Sequence, residues 1–463
     1  LFQLNGSGMT KALMELKPSR IHDINAMVAL YRPGPMLTID EYVARKHGRS
    51  PVVYYHPKMK KYLDKTYGLL VYQDDLLYTA IELAGYDWGE VDKFRKAVGK
   101  KIPAEMAKQH KIFVDGCQKH SNMTEAEAEK IWTLFEPFQG YGFNKAHAAC
   151  YGRVAYQTAY MKATYPSEYM TAVLTSEEGD TEKISEIITE CKRMAIPVLP
   201  PDINLSHNHF TVIKAKEGTE KDQIRFGLFT IKNLGENIAS AIISEREENG
   251  AYTSFSEFLE RVHHKDLNKK SLESLIRAGA FDSLGEERGA LLHNIEEALE
   301  YHREHAKQLE SSQISLFSVV ADAKSAPRLR LRPAPEIQVD QKLAWEKELL
   351  GLYISGHPLD KHREKIEKGG SNIKKTNEDT RDGMGIIIAG IIEEHKVVIT
   401  KKNEHMAFLK VADFTGSIEV VVFPRTMAEC KDLLGPDKCI AIKGRFSRRN
   451  DAPSIIAEKI KAL

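Results

Sequence analysis

Long apolar runs are absent from this 463-residue sequence, and no stretch of about 18 uncharged apolar residues is available for a transmembrane helix. A charged start followed by an apolar stretch, the pattern of a secretory signal peptide, is also absent. Neither charge sign dominates, because 66 Lys and Arg balance 65 Asp and Glu. With 42% apolar and 28% charged residues, the composition is typical of a soluble globular protein and predicts about three domains with no membrane partner.

Cysteine is scarce, and no two cysteines form a Cys-x-x-Cys pair. An odd number at wide spacings argues against a disulfide framework and against a structural zinc site. We therefore expect a reducing, cytoplasmic location. The chain begins with Leu1 rather than Met, so we also expect it to be a fragment of a longer protein. The five cysteines are Cys117, Cys150, Cys191, Cys430 and Cys439.

The net charge of +1 excludes a globally basic protein but hides an uneven distribution. Residues 1–170 contain 23 Lys and Arg against 18 Asp and Glu, so the remainder of the chain is slightly acidic. A polyanionic partner is therefore expected to bind the first third of the chain.

Residues 1–175 carry mostly helical patterns. Thr124 and Glu127 form a capping-box signal that predicts a helix over 124–138. A second helix is predicted from Ala155 to Lys162, ending before Pro166. The prolines and glycine within 29–36 interrupt the helical pattern and predict a rigid loop.

A Pro-rich extended segment at 196–202 predicts a domain boundary within 175–205. Residues 225–285 then carry two helix–turn–helix patterns, centred on 231–235 and on 275–281. An amphipathic helix is predicted over 290–302. The prolines of 322–340 indicate a linker.

The last 80 residues or so are rich in β-branched residues. The predicted order of elements is that of an OB-fold, a β-barrel whose open face binds single strands. The fold class is therefore multidomain α+β, mostly helical and followed by a C-terminal OB-fold β-barrel. The predicted strands cover 386–392, 397–400, 406–413, 417–423, 439–446 and 454–459, with a helix over 425–434.

Three segments could carry chemistry. The first, 93–111, has basic residues spaced to share a helix face and contact phosphates, although a solvated basic surface explains it equally well. The second, 140–149, sets Lys145 and His147 among small residues, which suits a triphosphate, although a structural histidine is the commoner case. The third, 313–317, has Leu316 and Phe317 behind Gln313 in a polar context, which suits a peptide anchor in a partner's pocket.

The remaining candidate residues give weaker evidence of a functional site. The histidines at 207, 209, 263 and 264 lack ligand companions at metal-site spacing, and Asp74 and Asp75 fall within a helical pattern. No Asp-x-Asp element, Ser/His/Asp triad or phosphate-binding loop is present. The sequence does not contain a complete set of catalytic residues.

Ordered motifs occur along nearly the whole chain. In these motifs the sequence closely resembles the C-terminal half of the bacterial replicative DNA polymerase III alpha subunit, a C-family polymerase. The motifs include 1–4 (Leu-Phe-Gln-Leu), 31–35 (Tyr-Arg-Pro-Gly-Pro), 97–101 (Ala-Val-Gly-Lys-Lys), 141–147 (Tyr-Gly-Phe-Asn-Lys-Ala-His), 156–158 (Tyr-Gln-Thr), 200–204 (Pro-Pro-Asp-Ile-Asn) and 279–282 (Gly-Ala-Phe-Asp).

The resemblance implies an arrangement of domains. It comprises a fingers domain at 1–170, a tandem helix-hairpin-helix DNA-binding domain at 171–285, a helix with clamp-binding motif and linker at 286–340, a helical connector at 341–382, and an OB-fold single-strand-binding domain at 383–463. The implied partners are primer–template DNA, deoxynucleoside triphosphates, the sliding clamp and other subunits of the polymerase III holoenzyme.

The resemblance also implies the reaction, in which a primer 3′-hydroxyl attacks the α-phosphate of a deoxynucleoside triphosphate with two Mg²⁺ ions bridging the reacting oxygens. In the family the metal-binding carboxylates belong to the palm, upstream of this sequence. We therefore expect no catalytic residue and no metal ligand here, and an inactive fragment of an active DNA polymerase.

Site residues follow from matching positions. Lys96 stands where the family has an arginine, Lys11 lies one residue after the family's lysine, and Asn233 replaces a hairpin glycine. Asp74 and Asp75 replace the usual Glu-Gln. The implied nucleotide-binding residues are Arg95, Lys96, Lys145, His147 and Lys11; the DNA-binding residues are Lys100, Lys101, Lys232, Asn233 and Gly235; and the clamp-binding residues are Gln313, Leu316 and Phe317.

A different class of function stays open. A stand-alone, non-catalytic nucleic-acid-binding protein with helix-hairpin-helix and OB parts would explain 225–463. It would not explain the fingers-like pattern of 1–170. The two hypotheses differ in whether a templated triphosphate changes binding to primer–template DNA.

Overall fold

The computed structural model describes residues 1–100, 103–135, 142–215, 221–310, 329–370, 372–400, 403–449 and 452–463. These residues form two compact units, Leu1–Tyr169 and Met170–Leu463. The helices are α1 (Ser7–Leu16), α2 (Ile21–Leu30), α3 (Ile39–Lys46), α4 (Lys60–Leu63), α5 (Gln73–Ala84), α6 (Trp88–Lys100), α7 (Pro103–Ser121), α8 (Glu125–Thr133), α9 (Lys145–Thr164), α10 (Pro166–Ser176), α11 (Thr181–Arg193), α12 (Glu236–Asn249), α13 (Phe255–Arg261), α14 (Lys269–Arg277), α15 (Arg288–His293), α16 (Ile295–Glu310), α17 (Val339–Leu350), α18 (Arg363–Lys368), α19 (Ile373–Asp379) and α20 (Pro424–Cys430). The strands are β1 (Val198–Leu199), β2 (Thr211–Ile213), β3 (Gln223–Arg225), β4 (Gly385–Ile399), β5 (His405–Ala412), β6 (Ser417–Val422), β7 (Cys439–Arg449) and β8 (Ala452–Ala462).

The first unit is built around two apolar clusters. Helices α5 to α8 enclose Phe94, Phe113 and Phe135, whose rings meet edge-on at centroid distances of 5.5 Å and 5.2 Å from Phe135. Helices α1, α2, α3 and α9 enclose the second cluster around Met27 and Tyr42. The two clusters hold in place the helices that carry the candidate site.

The capping-box prediction at the start of α8 is confirmed. Thr124 Oγ1 accepts a hydrogen bond from Glu127 N at 3.3 Å, and Glu127 Oε2 accepts one from Thr124 N at 2.8 Å. The helix ends at Thr133, earlier than the predicted 138. The predicted loop at 29–36 is confirmed in part, because α2 continues to Leu30 and a 3₁₀ helix begins at Pro35.

The predicted helix over 155–162 is wrong in extent, because α9 begins ten residues earlier, at Lys145. Asn144 caps it by accepting a hydrogen bond from His147 N at 2.9 Å. Small residues on its buried face allow α9 to pack closely on α2. A Cβ added at Gly152 would collide with Asn25 Oδ1, so only glycine fits at this crossing.

The second unit begins within α10 and continues with α11 and a small sheet of order β1-β3-β2, which the sequence analysis did not predict. The first helix–turn–helix pattern is a 3₁₀ turn at Leu228–Thr230 followed by α12. The second is α14, a turn in which Gly279 has φ 83°, and α15. The positive φ at Gly279 is a conformation that favours glycine.

The single helix predicted over 290–302 is wrong, because Asn294 separates α15 from α16. The Asn294 side chain donates to Arg332 O and accepts from Arg332 N, both at 2.9 Å. This pairing ties the break to a segment 38 residues away. The described part of the predicted linker ends earlier than 340, because α17 begins at Val339.

The C-terminal strands close into a barrel of order β4-β5-β6-β8-β7, which confirms the OB-fold order and the multidomain α+β class. The strands predicted at 386–392 and 397–400 are one strand, β4. An irregularity of register between Ile392 and Glu394 bends it so that it pairs with both β7 and β5. Alternating apolar residues such as Ile388, Val420 and Phe446 fill the barrel.

Candidate functional site

The first turns of α5 and α9 meet in the first unit. Gln73 N donates to Phe143 O at 2.8 Å, and Lys145 N donates to Asp74 Oδ2 at 2.8 Å. Asp75 Oδ2 accepts hydrogen bonds from Val71 N at 3.1 Å and Tyr72 N at 3.0 Å. The segment before α9 is therefore fastened to the N-terminus of α5, and the positive ends of two helix dipoles lie side by side.

Lys145 lies above a buried carboxylate. Its Nζ is 3.5 Å from Asp75 Oδ1 and 5.4 Å from the centroid of the Tyr72 ring. The Asp75 side chain is fully buried, whereas Lys145 stays partly exposed. Burial raises the pKa of Asp75 to about 6, although Lys145 acts in the opposite direction. The ammonium group is thus positioned by Asp75 and still accessible to solvent.

His147 belongs to a column of aromatic rings that contact one another at tilted angles. Its ring centroid is 4.0 Å from that of Tyr151 and 5.3 Å from that of Phe143. The Arg32 guanidinium carbon lies 4.1 Å from the Phe143 centroid, and Phe2 lies 5.2 Å from Tyr151 at the other end. The exposed imidazole is therefore held in one orientation by aromatic and cation–π contacts.

Arg95 and Lys96 project from α6 and share one acidic partner. Arg95 Nη2 is 2.8 Å from Asp92 Oδ1, and Lys96 Nζ is 2.8 Å from Asp92 Oδ2. Hydrogen bonds from Lys96 and Arg95 hold the pKa of Asp92 below its usual range. Arg95 also lines a pocket between α5 and α6 together with Gln73 and Gly142. The structure therefore brings Arg95 to the segment that carries Lys145 and His147.

Other predicted residues lie elsewhere. Lys11 is exposed on α1, and no contact among the described residues links its side chain to Lys145 or Arg95. Lys100 ends α6, but its side chain, like the whole of Lys101, lies outside the described residues. The clamp-binding residues Gln313, Leu316 and Phe317 also lie outside them.

The predicted DNA-binding residues of the hairpin flank the N-terminus of α12. Asn233 has φ 68°, the left-handed conformation that asparagine tolerates in place of glycine. Lys232 is exposed, and its backbone N donates to Leu349 O at 3.0 Å. Gly235 is the N-cap residue with φ −73°, so its conformation does not require glycine.

Sequence reasoning missed Asp75, Arg32 and Phe143. Asp75 was set aside as part of a helical pattern, and its burial beneath Lys145 depends on a residue 70 positions away. Arg32 follows the end of α2, in the Pro-Gly-Pro loop. A charged residue in so rigid a loop is a signal that could have identified it.

The described residues do not fit a catalytic metal site. No three His, Cys, Asp or Glu side chains among them come together in a way that could hold a metal ion. Asp74 and Asp75 are instead engaged with the backbone and with Lys145. None of the helices that the structure describes is long and apolar enough to cross a lipid bilayer.

Three families match successive parts of the chain. Residues 1–121 match the bacterial DNA polymerase III alpha subunit finger domain. Residues 195–291 match the helix-hairpin-helix motif, and residues 386–463 match the OB-fold nucleic acid binding domain.

Curated relatives match almost the whole chain. The DNA polymerase III subunit alpha of Borreliella burgdorferi is 39% identical over 99% of this chain and 40% of its own length. The Thermus aquaticus protein of the same name is 41% identical over 92% of this chain and 34% of its own. This chain therefore spans 34–40% of the length of these relatives.

Among solved structures, the asparaginyl-tRNA synthetase of Pyrococcus horikoshii is 21% identical over 18% of this chain and 20% of its own, with a TM-score of 0.16, which is too low to carry an argument. The similarity to the sequence relatives does support a conclusion about the family. Since the similarity covers nearly every residue and three matched domains follow in order, the chain belongs to the family of bacterial DNA polymerase III alpha subunits.

Proposed function

We propose that this chain binds primer–template DNA and the incoming deoxynucleoside triphosphate as part of a replicative, template-directed DNA polymerase. The observation that carries the proposal is that Arg95 lines a pocket with Gln73 and Gly142, next to the joined first turns of α5 and α9 from which Lys145 and His147 project. The match of residues 1–121 to a polymerase finger domain supports the same conclusion.

A triphosphate suits the charges of this site. Lys145 offers a compact positive charge at the N-terminus of α9, where the helix dipole also favours an anion. Arg95 offers a planar fork that can donate two hydrogen bonds to one phosphate, whereas Lys96 acts as a point charge. The ring column holds His147 two residues further along α9, where its exposed imidazole is a further group that can contact the nucleotide.

In the reaction we propose for the whole protein, the primer 3′-oxygen forms a bond to the α-phosphorus and pyrophosphate leaves. Arg95, Lys96 and Lys145 would bind the leaving phosphates and hold them in line, so their contribution is positioning and charge stabilisation. The Mg²⁺ ions of the family are not assigned to residues of this chain.

The second unit offers two further DNA-binding elements. The turn at Asn233 exposes the N-terminus of α12, which suits a phosphate of duplex DNA. The barrel suits a single strand. We also propose, from sequence alone, that Gln313, Leu316 and Phe317 anchor the sliding clamp and that holoenzyme subunits are further partners.

The test uses the 463-residue chain, Mg²⁺ and a fluorescent primer–template whose primer ends in a 3′-dideoxynucleotide. Binding is measured by anisotropy with and without the matched triphosphate. We expect the matched triphosphate to tighten DNA binding and a mismatched one to leave it unchanged. Equal DNA affinity in all three conditions would instead favour a stand-alone, non-catalytic helix-hairpin-helix and OB module.

Asp92 is expected to compete with the nucleotide, because Arg95 and Lys96 must leave it to bind phosphate. Asp92→Asn should therefore lower the Kd for the matched triphosphate by about three-fold, the scale of an exposed ion pair. Asp115→Asn is the control, since it removes the same charge from an exposed position on α7. A similar gain in both variants would mean that net charge, not release of Arg95 and Lys96, is the cause.

A further inference from the structure

The outward face of α9 has an unusual composition. In 20 residues this helix contains no Asp or Glu, but it contains Lys145, Arg153 and Lys162. Its buried face consists of small residues, Ala148 and Gly152 among them. The other side of the helix therefore carries exposed Arg153, and no acidic side chain of α9 offsets its charge.

Several residues of α9 lie in one row along the helix. At 100° per residue, positions 145, 149, 153, 156 and 160 fall within about 80° of one another. This row of residues begins at Lys145, in the proposed triphosphate site, and continues along the helix for roughly 22 Å. We name three of its residues, Arg153, Tyr156 and Tyr160, the tyrosine stripe.

The two tyrosines are exposed and stand as a pair. Tyr156 is 50% exposed and Tyr160 is 51% exposed. Their ring centroids lie 6.3 Å apart with 36° between the planes. The centroid separation is slightly shorter than two stacking steps of about 3.4 Å each and the planes are tilted, so the rings must turn parallel and move slightly apart to admit one planar base between them.

We propose that the tyrosine stripe binds an unpaired DNA strand, with one base between Tyr156 and Tyr160 and a phosphate on Arg153. Exposed aromatic rings with basic neighbours are the combination that binds single strands without regard to sequence. The absence of acidic residues along α9 favours a polyanion over a protein surface. The inference rests on the proposed function, in which the strand is the template ahead of the nucleotide site.

The test is site-resolved photocrosslinking in the full chain. 5-Iododeoxyuridine, which crosslinks to stacked aromatic side chains, is placed at one position at a time in the 5′ overhang of the template. Crosslinked residues are identified by mass spectrometry. Since Tyr156 and Tyr160 lie about 16 to 22 Å along the helix from Lys145, crosslinking should peak at a few neighbouring overhang positions several nucleotides beyond the templating base and fall away on both sides.

Variants give a second, quantitative readout. Tyr156→Leu with Tyr160→Leu should remove these crosslinks and weaken binding of a primer–template with a long overhang about ten-fold, the scale of one stacked base. Tyr156→Phe with Tyr160→Phe keeps both rings and should bind as the wild type does. Tyr165→Leu is the matched control, because Tyr165 is 48% exposed but follows the helix on a different side.

Crosslinks confined to the OB barrel, or a double leucine variant with the affinity of the Tyr165 control, would overturn the inference. Overturning it would not affect the proposed function if the matched triphosphate still tightens DNA binding. Crosslinks at Tyr156 or Tyr160 without any response to triphosphate would instead retain the stripe as a single-strand site and remove the nucleotide proposal.

Discussion

Lys145→Met is expected to weaken binding of the matched triphosphate about 30-fold, the scale of a charge-assisted hydrogen bond to phosphate. Methionine keeps the length of the side chain and removes its charge. The backbone N of residue 145, which donates to Asp74, is unchanged. The measurement is a titration of triphosphate into the complex with dideoxy-terminated primer–template, followed by anisotropy.

This variant should not unfold the site, although it leaves Asp75 without its counter-charge. Because burial already raises the pKa of Asp75 to about 6, loss of Lys145 should raise it further and leave the carboxyl group neutral at pH 7. A neutral carboxyl group still accepts the hydrogen bonds from Val71 N and Tyr72 N. We therefore expect affinity for DNA alone to stay as in the wild type.

Lys119→Met is the matched control for Lys145→Met. Lys119 is exposed in the last turn of α7. Its neighbour His120 lies against Gly85, at the opposite end of α5 from Gln73. If both variants lose affinity equally, the effect is one of net charge. If neither does, Lys145 does not contact the nucleotide.

The two ends of the chain differ in how well the sequence predicts them. The barrel was predictable because strands such as β6 alternate buried and exposed residues, a local pattern that only a half-buried strand explains. The start of α9 was missed even though Asn144, a favoured capping residue, precedes it. The break at Asn294 could not be predicted, since it depends on hydrogen bonds to Arg332, far along the chain.

The residues of the candidate site also differ in how well the sequence predicts them. Lys145 and His147 lie in one recognisable segment, so sequence analysis could select them together. Asp75 takes its importance from being buried beneath Lys145, and Arg95 from lining a pocket with Gly142. Both relations are made by the packing of α5, α6 and α9. No pattern within a single helix encodes them.

Asp75→Asn is expected to change how stability depends on pH. The folded-state pKa of about 6 lies above the ordinary aspartate value of 3.8, so the wild type has its full share of stability from this group below about pH 4 and loses it as pH rises through about 6. Asparagine does not titrate. The variant's free energy of unfolding should therefore rise relative to the wild type by about 3 kcal/mol from pH 4 to 7, the equivalent of about two pKa units.

Urea unfolding of the first unit measures this difference, with Trp88 and Trp132 as probes and Trp345 of the second unit replaced by Phe. Asp92→Asn provides a control of opposite sign. Lys96 and Arg95 lower the pKa of Asp92, so the wild type gains stability from that group above the ordinary aspartate pKa of 3.8 and loses it as pH falls. An Asp75→Asn difference that stays constant from pH 4 to 7 would mean that Asp75 titrates normally and that its burial beneath Lys145 does not determine its charge.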